Sequence, residues 1–272
     1  MHRHGLLRIV AFLCRTSDRT PEGALGAEIL ARLAAEKLGT EARVVGSPGE
    51  PGPRNWDEDL RDSHGCILEA GGQVEDALAD GRTPLLFASD CSICLTTLPA
   101  ALRARPEARV LWLDAHGDFN SPDTTPSGFL GGMCLAGACG IWDAGLGETV
   151  EPSRVVVCGA RDIDPGEQRL LDASGITSVA VSEAAVAQAR QALDGAPVYI
   201  HLDVDVLDPD EMPAQFPAPN GFSSAALRAL IEAVLEDCEL VGAEVTALEG
   251  ASHAETALDV IGPLLEEAHV RH

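Results

Sequence analysis

A chain of 272 residues with 46% hydrophobic and 4% aromatic residues can build a sizeable core, filled by Leu, Val, Ile and Ala rather than by rings. Its formal net charge of −24 repels nucleic acid and anionic membrane surfaces at long range, and bound divalent cations would offset part of it. No apolar run approaches the ~18 residues of a spanning helix, and the stretch from Ile9 to Leu13 beside Arg3 and Arg8 is too short for a signal peptide, so the chain reads as a cytoplasmic protein.

Along the chain, short apolar runs alternate with stretches of helical period. A strand over 7–13 precedes a helix over 22–38, and residues 46–65, rich in Gly, Pro and charge, read as the clearest long loop. Then come a strand over 84–88, a helix over 93–103 and a strand over 110–113, followed by a loop over 117–132. Strands over 154–159 and 177–181 are each followed by a helix, over 165–173 and 183–193. The last strands, 198–202 and 240–245, are separated by a loop over 206–222 and a helix over 224–236, and a helix over 254–267 closes the chain. Ser182 and Ser223 stand where they can cap the helices that follow them. Nearly continuous Val, Ile and Leu runs alternating with helices imply a mostly parallel sheet covered by helices on both faces. With no repeat and no linker, a single domain over 1–272 is the simplest organisation.

Several of the eight cysteines sit inside apolar runs, and they read as buried free thiols in a reducing compartment. Cys91-x-x-Cys94 has no second pair to make a zinc knuckle.

In open α/β sheets, ligands bind outside the carboxyl ends of the strands. There this chain has Ser89-Asp90-Cys91, Asp114-Ala-His116-Gly-Asp118, Arg161-Asp162-Ile-Asp164, Asp203-Val-Asp205 and Glu244. Alternate side chains of an extended chain share a face, so Asp114, His116 and Asp118 would converge on one site, joined by Asp203 and Asp205 from another strand. Four clustered carboxylates cannot all stay ionised without cations between them. With a histidine they suit Mn²⁺ best, with Fe²⁺ or Co²⁺ as substitutes. A lone DxD is more often a pair of loop carboxylates capping helices; together with DxHxD at a second strand end it points to a two-metal hydrolase site.

These motifs resemble those of the ureohydrolases, the arginase and agmatinase superfamily. Asp114-Ala-His-Gly-Asp118 is similar to its DAHxD signature, His201-Leu-Asp-Val-Asp-Val-Leu-Asp-Pro209 to SxDxDxxDP, and Gly159-Ala-Arg-Asp-Ile-Asp-Pro-Gly-Glu167 to a segment ending in DxDPGE. The resemblance runs from about residue 83 to the C-terminus and implies a three-layer α/β/α sandwich on a parallel sheet of about eight strands. It also implies two Mn²⁺ ions bridged by Asp114 and Asp203, with Asp118 completing the first shell and His116 and Asp205 the second. Water bridging the two ions would be ionised near neutral pH and attack the guanidino carbon. Asp118 and Glu244 are the implied catalytic carboxylates, Glu244 by holding the guanidinium. Asn120, Ser127 and Asp164 match positions that hold the α-carboxylate and α-amino groups of an amino acid.

Two departures bear on the substrate. Ala88-Ser-Asp-Cys-Ser92 stands where the family has GGDHS, so Cys91 replaces a first-metal histidine. Its thiolate can still ligate, though it is softer and favours Zn²⁺ or Fe²⁺, and a helix N-terminus would help keep it ionised. Ser127-Gly-Phe-Leu-Gly-Gly-Met133 stands where arginases have SGNLHG, so Phe129 replaces a carboxylate-binding asparagine and Gly131 a proton-shuttle histidine. Such a proton-transfer group typically contributes ~10²–10⁴-fold. The combination is similar to the branch that hydrolyses Nω-hydroxy-L-arginine to hydroxyurea and L-ornithine in the biosynthesis of the antibiotic D-cycloserine. A free guanidino amino acid is then the partner, and a homo-oligomer is compatible with this reading. An arginase, a formiminoglutamase or another guanidino-acid hydrolase is the alternative within enzymes; an inactive metal-binding regulatory homologue is the alternative outside them.

Overall fold

The computed structural model describes residues 7–270; Arg3 lies outside them. Its strands are β1 (Leu7–Phe12), β2 (Arg43–Val45), β3 (Thr83–Ala88), β4 (Arg109–Leu113), β5 (Val155–Cys158), β6 (Thr177–Val179), β7 (Val198–Asp203) and β8 (Leu240–Thr246). They form one eight-stranded sheet in the order β2-β1-β3-β8-β7-β4-β5-β6, and every pairing is parallel. The helices are α1 (Glu22–Leu38), α2 (Trp56–Ala79), α3 (Cys94–Ala104), α4 (Cys134–Ala138), α5 (Pro165–Ser174), α6 (Ala185–Leu193), α7 (Ser224–Asp237), α8 (Ala254–Val260) and α9 (Gly262–Val270).

The period of two along each strand divides the core into two layers. Leu85, Phe87, Leu111, Leu113, Ile200 and Leu202 pack against α1, α6, α7, α8 and α9. Leu86, Ala88, Val110, Trp112 and Tyr199 pack against α2, α3 and α4. The expected three-layer α/β/α sandwich with a parallel sheet is therefore what the chain forms. Among the described residues, no helix is long and apolar enough to cross a membrane.

The largest difference from the sequence reading is α2. Its first ten residues fall inside the loop expected over 46–65. Gly65, Gly71 and Gly72 weaken the local helical signal. Tertiary contact supplies what propensity lacks: a Cβ on Gly71 would come within 2.9 Å of the Thr96 Cβ, so α2 and α3 approach closely where a side chain is missing. Glu58 also accepts a hydrogen bond from Asn55 N at 3.2 Å, closing the first turn. Strand β2 is three residues long and exposed or half-buried, which leaves it no burial pattern to detect. Ser223 caps α7 as expected, accepting from Ala226 N at 3.2 Å. Ser182 does not cap with its side chain, because α6 begins at Ala185 and only the Ser182 carbonyl is engaged. The last helix is broken at Ile261, with Pro263 in the first turn of α9.

Candidate metal centre

Strands β4 and β7 are neighbours, with Leu113 opposite Leu202, so their next residues, Asp114 and Asp203, emerge side by side. Beyond these two, the extended geometry assumed from spacing gives way to turns. His116 keeps a parallel bridge to Asp162. Asp118 reaches the site through a left-handed backbone at φ 47°, a conformation Asp tolerates better than most residues. Asp205 sits in a 3₁₀ turn over Val204–Val206. Backbone amides hold the carboxylates in place: His116 N donates to Asp114 at 2.7 Å, Ala115 N to Asp205 at 3.1 Å and Asp205 N to Asp203 at 2.8 Å. Gly117 lets Glu167 reach under this loop, since a Cβ there would lie 2.6 Å from its Oε1. Glu167 in turn accepts from Phe119 N at 2.8 Å and from Asp164 N at 3.1 Å.

Cys91 opens a 3₁₀ turn at the end of β3, with Asp90 accepting from Ser92 N at 2.8 Å. The Cys91 thiol donates to Asp203 Oδ2 at 2.9 Å and lies 3.1 Å from Thr246 Oγ1. The expected ionising effect of a helix N-terminus does not prevail. The α-helix starts only at Cys94, and burial, with Asp203 beside it, pushes the thiol well up. All eight cysteines are free, as expected.

Burial and mutual repulsion push Asp118 and Asp203 well above the usual carboxylate range, and Asp114 above it too. Burial alone would lower the pKa of His116, but Asp114 and Asp205 beside it push it up to about 12. This is the electrostatic signature of a site that divalent cations would relieve. Ligand atoms of Asp114, His116 and Asp205 all lie within 4.8 Å of one another. The donor set therefore fits divalent cations.

A cavity of about 780 Å³ opens above the carboxylates, a size suited to a small molecule. Nine of the predicted residues line it: Cys91, Asp114, His116, Asp118, Asn120, Ser127, Asp164, Asp203 and Asp205. Asn120 Nδ2 donates to Asp164 at 3.2 Å, so two of the predicted amino-acid contacts form a pair on the wall.

Glu244 is the exception and corrects the sequence reading. It is fully buried and does not line the cavity. Thr97 donates to it at 2.5 Å and Tyr199 at 3.1 Å, and His201 Nδ1 lies 2.7 Å from its other oxygen. Both oxygens are engaged beneath the cavity floor, so in this structure it does not face the cavity in which a guanidinium would lie.

Arg19 and Phe216 are residues at the site that the sequence did not single out. Arg19 lies over the Phe129 ring at 4.8 Å, and Phe129 packs at 5.3 Å against Phe216 from the loop over 206–222. The arginine and both phenylalanines line the cavity. Arg161 binds that loop by donating to the carbonyls of Asp205, Val206, Leu207, Ala218 and Pro219. A long-range guanidinium–carbonyl clamp leaves no local pattern to read.

A protein-family model described as the arginase family matches residues 55–260. The chain belongs to the arginase family. It is 35% identical to the N(omega)-hydroxy-L-arginine amidinohydrolase of Streptomyces lavendulae, over 94% of this chain and 96% of that protein. It is 30% identical to an arginase of Bacillus caldovelox, over 71% of this chain and 72% of that one. Its fold matches the crystal structure of the Bacillus subtilis arginase with a TM-score of 0.82 at 23% identity, covering 95% and 98% of the two chains. The protein is thus an arginase-family hydrolase. Against the family pattern, its two changes at 129 and 131 prove to be one: a Cβ on Gly131 would lie 2.6 Å from the Phe129 ring. With Phe129 in this rotamer, a side chain at 131 would have to displace the ring.

Proposed function

We propose that this hydrolase cleaves the guanidino group of Nω-hydroxy-L-arginine, giving hydroxyurea and L-ornithine, with two Mn²⁺ ions in the site described above. The observation that carries this reading is the pairing of an intact set of five carboxylate and histidine donors with a Phe129 ring packed over Gly131. The donors support ureohydrolase chemistry. The ring lies against position 131, where the family signature has the histidine taken to assist ordinary arginine. Similarity along almost the whole chain to a relative named for hydroxyarginine supports the same substrate.

In this reading Asp114 and Asp203 would serve both cations, Cys91 and Asp118 the first, and His116 and Asp205 the second. When bound, the cations supply Lewis acidity and a water ionised near neutral pH. The chain's own residues orient the substrate. Asn120, Ser127 and Asp164 receive the α-amino and α-carboxylate groups. Arg19, which also lines the cavity, adds positive charge for the carboxylate. Phe129 and Phe216 limit access of bulk water at the mouth, which strengthens the electrostatics inside. N-hydroxylation makes the guanidine less basic and less resonance-stabilised, so a larger share of the substrate is neutral near pH 7 and its cleavage depends less on an acid at position 131. The free thiols accord with a reducing, cytoplasmic setting, and a place in antibiotic biosynthesis goes with the substrate.

Steady-state kinetics with added Mn²⁺ on hydroxyarginine, arginine, agmatine and formiminoglutamate test this. Hydroxyarginine should be the preferred substrate by kcat/KM, with hydroxyurea as product. Equal efficiency on arginine would overturn the substrate assignment.

A further inference from the structure

In this sheet, side chains two apart stand in rows. Asp114, Asp203 and Thr246 form the row at the carboxyl edge. Trp112, His201 and Glu244 form the row directly beneath, in register on β4, β7 and β8. His201 is fully buried, stacked on Trp112 with ring centroids 3.5 Å apart and planes 3° from parallel. Its Nδ1 lies 2.7 Å from Glu244 Oε1, and its Nε2 has no hydrogen-bond partner. A fully buried ring nitrogen without a partner is rare and calls for an explanation. A ring nitrogen of His201, Cys91 Sγ and a carboxylate oxygen of Asp114 all lie within 4.8 Å of one another. Bonds of roughly 2.0–2.3 Å place two donors of one ion up to about 4.5 Å apart, so a single cation nearly spans this cluster as it stands.

We propose that His201 is a nitrogen ligand of the first metal, bound through Nε2 and oriented by Glu244. The proposal rests on the two-metal reading above and adds a donor to it. Histidine is missing at position 91, where the family signature has one, and present at 201, where the signature has serine. The two positions meet at the same side of the site, so the imidazole lost from the turn after β3 is returned from β7. Glu244 acquires a role that its burial permits. A metal-bound histidine commonly donates its second ring N–H to a carboxylate, which fixes the tautomer and raises the basicity of the ligating nitrogen. Hydrogen bonds from Thr97 and Tyr199 to Glu244 fix that carboxylate. Trp112 holds the ring from its face and donates from Nε1 to Asp114 at 3.1 Å, coupling both ligands to one indole.

The test is a crystal structure of the full chain loaded with Mn²⁺, with the ions located by anomalous scattering. His201 Nε2 within about 2.5 Å of the first ion is the expected result. Two bound ions with Nε2 beyond about 3 Å of either would overturn this inference and leave the two-metal reading standing; a hydrogen bond from His201 to the Cys91 thiolate would give that result. A chain that binds no Mn²⁺ would overturn both. In solution, His201→Ala should retain about one Mn²⁺ per chain after gel filtration where the parent retains about two, with far-ultraviolet circular dichroism establishing that it folds. Where that variant does not fold, Glu244→Gln provides the second measurement: at least a tenfold weaker Mn²⁺ affinity is expected, and unchanged affinity would count against the role of Glu244.

Discussion

At the scale of single residues, the site is governed by who touches whom. Phe129 and Gly131 were legible as two departures from a motif, but only packing shows that the ring of one lies against the backbone of the other. Gly131→His alone should therefore disturb the cavity without restoring arginine hydrolysis. Combined with Phe129→Asn, it should raise kcat/KM for arginine by ~10²-fold or more over either single change, measured by urea release. Glu167 gives a pH prediction. Burial pushes its carboxyl from an ordinary 4.5 up to about 7. A value raised in the folded state means that the folded chain holds the proton more tightly. Its stabilising contribution is fully present below about pH 4.5 and is lost as pH rises through about 7. In metal-free protein, Glu167→Gln should remove a decline on the order of 3 kcal/mol between pH 4.5 and 8, read from urea midpoints. Glu244 shows the converse limit of residue-level reading. Its motif position suggested substrate contact, but its neighbours on β7 and α3 take both of its oxygens.

At the scale of elements, the strands were readable because a sheet buried on both faces demands continuous Val, Ile and Leu runs. Most helices were readable from their period, and α1 begins and ends where that period does. Helix α2 was not, because its glycines lower propensity while its stability comes from docking on α3. Two substitutions separate these contributions. Gly71→Ala places a methyl against Thr96 and should destabilise the protein by ~1–3 kcal/mol. Gly65→Ala meets no atom within 4 Å and should stabilise it by ~0.5–1 kcal/mol. Denaturant midpoints with unchanged slope would check both. Opposite signs are the point of the comparison, since propensity alone predicts two gains.

At the scale of the whole molecule, a chain of net charge −24 concentrates several buried carboxylates at one sheet edge. Cations and fold should therefore be linked. Chelation should abolish activity and lower the melting temperature, and added Mn²⁺ should restore both. With free metal a thousandfold above Kd, each site contributes about 4 kcal/mol, which amounts to on the order of 10 °C for a chain of this size. Calorimetry with and without chelator measures it; an unchanged transition would show that the carboxylates are accommodated without cations. The sequence by itself determined which donors exist and that they stand at strand ends, because DxHxD and DxD are local patterns and ligand spacing is written along the chain. Tertiary structure alone decided which strand ends are neighbours. The pairing of β4 with β7 and of β7 with β8 sets Asp114 beside Asp203 and His201 beside Glu244 across long stretches of chain. It buried Glu244 and His201 together in the row beneath the carboxylates. The physical reason is that sheet register and burial are set by the summed packing of two helix layers, which no single motif encodes.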